Sequence, residues 1–210
     1  MGPDPFARMD PTDDAEFYRP ERKVVHIEAG AIDALRRRYT SLLPSGAPIL
    51  DLMSSWRSHL PAGVGPVTGL GMNAAEMTDN PQLDEVVIHD LNREPRLPFP
   101  DGHFAAVVCA VSVQYLVHPV AVLGDVARVL VPGGPVAVSF SNRCFPTKAV
   151  AVWMSTGDDG HRRLVRGYLE EAGFDGVTDE RLDSPDDPLF LVHGRAPDPT
   201  SASSLELSCP

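Results

Sequence analysis

The stretch 97-LPFPDGHFAAVVCAVSVQYLVHPVAVLGDVARVLVPGGPVAVSF-140 decides the fold. FAAVVCAV at 104–111 is a short β-rich run, the pattern of a strand. Val120 to Leu130 carries a helical pattern and ends at VPGG, where Pro132 and two glycines stop the helix and turn the chain. PVAVSF at 135–140 is again a strand. Strand, helix, strand in that order is the crossover by which parallel strands are joined.

Working outward, ILDLM at 49–53, VTGL at 67–70 and EVVIHDL at 85–91 are further β-rich runs, separated by segments of helical pattern. Such alternation predicts a mostly parallel sheet with helices on both faces. Ile32, Leu35, Tyr39 and Leu42 recur at helical spacing between Ala29 and Leu43, opposite Arg36, Arg37 and Arg38, and predict an amphipathic helix. A helical segment over 161–172 precedes GFDGVTDERL and DPLFLVHGRA, two runs with no helix between them. They predict an antiparallel β-hairpin at one sheet edge, giving an α/β, Rossmann-like sheet of seven strands.

At 210 residues, one domain with appendages is expected. Residues 1–46 form an N-terminal arm and helix, a candidate lid whose first 22 residues are disordered or laid across the surface. Residues 47–195 form the domain, and 196–210 a disordered tail. A net charge of −11 argues against nucleic-acid and anionic-membrane partners. No apolar run approaches the ~18 residues that span a bilayer, and the start lacks a secretory layout, so a cytoplasmic protein is expected. Cys109, Cys144 and Cys209 are odd in number and widely spaced, and no histidines stand at metal-ligand spacing, so neither disulfides nor a metal site is expected.

Over residues 48–195 the order ILDLM, LNREPRLPFPDGHFAAVVCAVSVQYLVHP, LGDVARVLVPGG and AVSFSN resembles the small-molecule branch of the class I S-adenosylmethionine-dependent methyltransferases. LPFPDGHFAAVV followed by ARVLVPGG is the most specific part. The resemblance implies S-adenosylmethionine as cofactor. It aligns Asp51 with the acid ending the first strand, and Met53 and Ser54 with a glycine-rich loop that here contains no glycine. Gly71 stands where the family places the ribose-binding acid, with Asn73 close by. His89, Asp90 and Leu91 match the segment that contacts adenine, and Ala110 to Ser112 the lip beneath the cofactor.

Ligands of doubly wound sheets sit beyond the carboxyl ends of the strands. Ser54, Ser55, Trp56, Arg57 and His59 follow the first strand. They read either as an anion site at the start of a short helix or as a helix cap with packing and solvated neighbours. Ser112, Gln114 and Tyr115 follow the fourth strand, where Tyr115 is a candidate acid, base or hydrogen-bond partner. Ser141, Asn142, Arg143 and Cys144 follow the fifth, with Arg143 a candidate anion clamp and Cys144 a cysteine more often inert than nucleophilic. Phe17, Tyr18 and His26 are candidate lid residues.

Three functions are therefore in view. The first is methyl transfer to a small molecule in specialised, natural-product metabolism, with Tyr115 or His26 managing the acceptor proton. The second is a cofactor-independent cyclase or lyase, with Ser54, Ser55, Arg57 and Arg143 stabilising a departing anion such as sulfate or phosphate. The third is a non-catalytic subunit of a heteromeric enzyme; a homodimer is also in view.

Overall fold

A computed structural model of the chain describes residues 2, 4–184 and 188–198. The tail beyond Asp198, including Cys209, lies outside the described residues. Seven strands, β1 (Ile49–Leu52), β2 (Val67–Gly71), β3 (Glu85–Ile88), β4 (Ala106–Ala110), β5 (Pro135–Ser141), β6 (Asp175–Leu182) and β7 (Leu189–Arg195), form one sheet in the order β3-β2-β1-β4-β5-β7-β6. The first five are parallel; β7 runs antiparallel to β5 and to β6, as the helix-free link between the last two strands requires.

Side-chain alternation divides the core between the two sheet faces. Leu50, Leu52, Val107, Cys109, Val136 and Val138 face α4 (Pro119–Val129) and α6 (Asp158–Glu171). Ile49, Ala106, Val108 and Ala137 face α2 (Ala29–Leu42). Helix α2 turns Ala31, Leu35 and Tyr39 fully inward, each large side chain contributing about 1.5–3 kcal/mol of apolar burial.

The sheet departs from regular alternation at one edge. Residues 53–66, between β1 and β2, contain no helix, and neither do residues 89–105, between β3 and β4; α3 (Ala74–Thr78) is one short turn. Pro61, Gly63, Gly65 and Pro66 break helical structure in the first link. Gly65 is needed there, because a Cβ would lie 2.1 Å from the Ala47 carbonyl oxygen where the link folds back onto the chain entering β1. Without flanking helices, edge strand β3 stays exposed, Ile88 at 53%. Among the described residues no helix is long and apolar enough to cross a membrane.

The N-terminal arm is laid across the domain rather than left without structure. It contains a short helix, α1 (Asp14–Tyr18), capped by Asp13, and residues 5–10 bond to 147–152 through Asp10 N–H to Thr147 O (2.9 Å) and Ala151 N–H to Ala7 O (2.8 Å). Lys148, fully buried, fixes it. Its ammonium donates to Thr12 O at 2.7 Å and pairs with Asp14 at 3.1 Å, while Arg8 forks onto both Asp14 carboxylate oxygens at 2.7 Å. Burial pushes the Asp14 carboxyl upward, but bonds from Arg8, Asn92 and Lys148 outweigh it and hold the acid below its ordinary value. At the other end of the domain, Ala196 is buried and exchanges both backbone bonds with the 133–134 turn.

Candidate functional site

At the carboxyl end of β1, Asp51 is 2% exposed and accepts the Ser54 hydroxyl at 2.5 Å. Burial raises its carboxyl to about 6, against a partial downward pull from Ser54 and Ser58. Met53 holds φ at 59°, the left-handed backbone that a glycine would adopt at no cost. The turn thus keeps a glycine-like shape without glycine. It brings Ser54 N–H to Leu70 O (2.8 Å) and sets the Ser54 carbonyl where a side chain on Gly71 would stand, 2.3 Å from an added Cβ. No residue but glycine can end β2 in this arrangement.

The expected helix after β1 is absent, so Ser54 caps nothing and no helix start presents N–H groups to an anion. Ser55 donates to Glu76 Oε2 at 2.7 Å, and the Trp56 indole donates to Val24 O at 2.8 Å. Arg57 is exposed, lies over the Trp56 ring and donates to Trp56 O. The proposed anion cluster is therefore dispersed into internal contacts. His59, buried at φ 55°, is lowered to about 4 by burial and by the nearby Arg36, His26 and Arg57, and is neutral at pH 7.

Asn73 caps α3 by accepting Glu76 N–H at 3.1 Å, and its amide donates to Tyr18 O at 2.9 Å; its hydrogen-bonding groups thus serve the fold and the arm. Glu76 projects from α3 into the space beside Gly71. It is 8% exposed, accepts Arg22 N–H and the Ser55 hydroxyl, and has no cationic side chain in ion-pair contact among the described residues.

Beyond β3, Asp90 Oδ1 accepts Asn92 N–H (2.9 Å) and Arg93 N–H (3.3 Å), shaping the turn in which Leu91 is buried. Beyond β4, Val111 is left-handed (φ 48°), Ser112 donates to Ala110 O, and residues 113–115 form one 3-10 turn. That turn buries Tyr115, whose hydroxyl accepts Phe145 N–H at 2.9 Å and is pushed up to about 12 by burial, so it stays protonated at neutral pH. Burial also raises the Tyr18 phenol and lowers the His26 imidazole.

These groups line one cavity at the carboxyl ends of β1 to β4 and under the arm. The structure brings together Tyr18, His26, Asp51, Met53 to Arg57, His59, Gly71, Asn73, Asp90, Leu91, Ser112 and Tyr115 there. It does not bring Gln114, Asn142 or Arg143 to the cavity wall. Gln114 is buried and donates to Val111 O, Asn142 is exposed, and Arg143 is exposed and pairs with Glu28 at 3.1 Å. Cys144 is raised by burial and contacts Met154, an environment without thiolate activation.

Sequence reasoning missed Glu76, Arg22, Asn92 and Phe145, all on the cavity wall. Glu76 followed a run read for its strand end, and Arg22 belonged to an arm with no periodicity. The one available signal for Phe145 was its place directly after the singled-out SNRC segment. Among the described residues no cluster of three metal-ligating side chains exists.

Residues 62–138 match the family model described as a methyltransferase domain. No curated protein matches the sequence. Among solved structures, the [4+2]-cyclase SpnF is similar at 15% identity with a TM-score of 0.60, over 79% of this chain and 82% of that one. A chain of the complex between the Haloferax volcanii Trm112 methyltransferase activator and a methyltransferase reaches 17% identity and a TM-score of 0.59, over 78% of this chain and 89% of that one. A SAM-dependent methyltransferase from Aquifex aeolicus gives 16% and 0.59, over 80% and 91%. Strand order and the closing hairpin give the chain the same fold as these methyltransferase structures, and the segment 62–138 within it matches the methyltransferase-domain model.

Proposed function

We propose that the protein is an enzyme of specialised small-molecule metabolism that uses S-adenosylmethionine to methylate its substrate. The observation that carries this reading is the cavity itself. It lies at the carboxyl ends of β1, β2, β3 and β4 and retains a buried carboxylate, Glu76, beside the Gly71 position where the usual acid is missing. The residues present fit the cofactor. The left-handed Met53 keeps the turn that opens the pocket, Glu76 has acceptor capacity for hydroxyl groups, and Leu91 with the Asp90 turn offers an apolar surface beside a carboxylate.

When bound, the cofactor supplies an electrophilic methyl carbon on a sulfonium. The chain's own work is to exclude water with the arm and to hold the acceptor in line for attack. The protonated Tyr115 phenol can donate to an acceptor oxygen, and the neutral His26 imidazole can take up the proton released.

A second reading, cofactor-independent cyclisation or elimination, has its own observation. The Ser54 carbonyl fills the Gly71 cradle and the Asn73 amide is committed to Tyr18, both beside the cofactor's place. Calorimetric titration with S-adenosylmethionine and S-adenosylhomocysteine separates the two. Dissociation constants at or below ~100 µM, about 5.5 kcal/mol, support methyl transfer. No heat and no thermal shift at millimolar ligand would overturn it in favour of the second reading.

A further inference from the structure

We propose that the arm-side end of the cavity is a subsite for a single carboxylate on the acceptor substrate, held by Arg22 with Tyr115 and Tyr18. This deepens the methyl-transfer reading and rests on it for the reaction, though not for the binding.

The donors and acceptors of the cavity wall carry the inference. The amides of Asn73 and Asn92, the Trp56 indole and the hydroxyls of Ser54, Ser55 and Ser112 all donate to protein atoms. Arg22 differs. One guanidinium nitrogen, Nη1, donates to Phe17 O and Pro20 O; Nε and Nη2 bond no protein atom among the described residues, and no carboxylate pairs with it there. The guanidinium lies 4.3 Å from the centre of the Phe17 ring and 6.0 Å from that of Phe145.

Phe145 is the hub of this end. The Tyr115 ring centre lies 6.0 Å from its own and that of His26 5.2 Å, while Tyr18 packs on Phe17 at 4.9 Å. Tyr115 Oη accepts the Phe145 N–H, which leaves its own proton to donate. The subsite therefore offers one fixed positive charge, two phenol donors and an aromatic wall. A planar oxyanion on an apolar body satisfies all of them, and the guanidinium fork matches carboxylate geometry. Charge selects the monoanion: Glu76 accepts the backbone N–H of Arg22 itself, so a second negative charge on a phosphate would meet a carboxylate already in place.

The test is calorimetric titration of the full chain with benzoate, phenylacetate, their two amides and phenyl phosphate, using the wild type, Arg22→Gln, Arg22→Lys and Tyr115→Phe. The carboxylates are expected to bind wild type at least tenfold tighter than the amides. Arg22→Gln should abolish that preference, Arg22→Lys should weaken it threefold or more, and Tyr115→Phe should weaken it measurably. Equal binding of acids and amides, an unchanged preference in Arg22→Gln, or tighter binding of phenyl phosphate than of benzoate overturns the proposal. Should Arg22→Gln not fold, the lysine variant decides, and no weakening there overturns it. Titration with S-adenosylhomocysteine on the same samples keeps the two readings apart. Equal affinity in wild type and Arg22→Gln is expected, whereas a parallel loss would place the guanidinium on the cofactor's carboxylate and overturn the substrate assignment. Absence of S-adenosylhomocysteine binding to wild type removes methyl transfer and leaves the carboxylate result to stand or fall alone.

Discussion

At the scale of single residues, Asp51 and Gly71 show how the turn at Met53 and Ser54 shapes its surroundings. Asp51 has its carboxyl raised by burial from 3.8 to about 6. The folded state therefore binds the proton more tightly than the unfolded state does, and stability falls as pH rises from about 4 to about 6, levelling off above. Asp51→Asn should remove that penalty. Its stability gain over wild type should grow through this pH window and reach about 1–3 kcal/mol at pH 7, read from urea melts at pH 4.5 and 7.5. A gain that is constant with pH would contradict the assignment. Gly71→Ala must displace the Ser54 carbonyl 2.3 Å from the new Cβ, backbone that cannot swing aside, and should cost about 2 kcal/mol or more in chemical denaturation. Both residues were identifiable in the sequence as the ends of β1 and β2. Their environment was not, because Ser54 reaches Gly71 only through the path of a link that periodicity does not describe.

At the scale of elements, the central strands and the helices α2, α4 and α6 were legible, since each repeats its apolar residues at its own period over a long enough run. The links were not. The segment after β1 reads as the start of a short helix, and an irregular link forms instead because Pro61, Gly63, Gly65 and Pro66 disfavour a helix. The arm was legible only as a Pro- and Asp-rich stretch, because its order comes from contacts distant in sequence, chiefly Lys148 with Asp14 and Thr12. Lys148→Met should leave buried Asp14 with less than its charge complement. A loss of about 3–5 kcal/mol is expected, together with rapid proteolytic cleavage within residues 1–13, followed by mass spectrometry. Stability unchanged and cleavage no faster than in wild type would show that the arm is held by other means.

At the scale of the whole molecule, the net charge of −11 opposes a polyanionic partner. The protein should pass through a heparin column unretained at 0.15 M salt; retention would point to a basic patch that the charge balance conceals. Removing residues 1–28 should open the cavity mouth, since Tyr18, Arg22, Val24 and His26 form part of its wall. The truncated chain is expected to lose ligand binding at least tenfold while α2 and the sheet keep their far-ultraviolet circular dichroism.

The sequence by itself determined the parallel sheet, its terminal hairpin and the helices that cover its centre. These follow from local periodicity and from the rules that join consecutive elements. Only the tertiary structure decided which side chains meet in the cavity. Glu76 enters beside Gly71, Arg22 arrives on the arm, and Arg143 faces outward to Glu28. Such meetings join residues many positions apart along irregular backbone, where no repeat in the sequence records the direction a side chain takes.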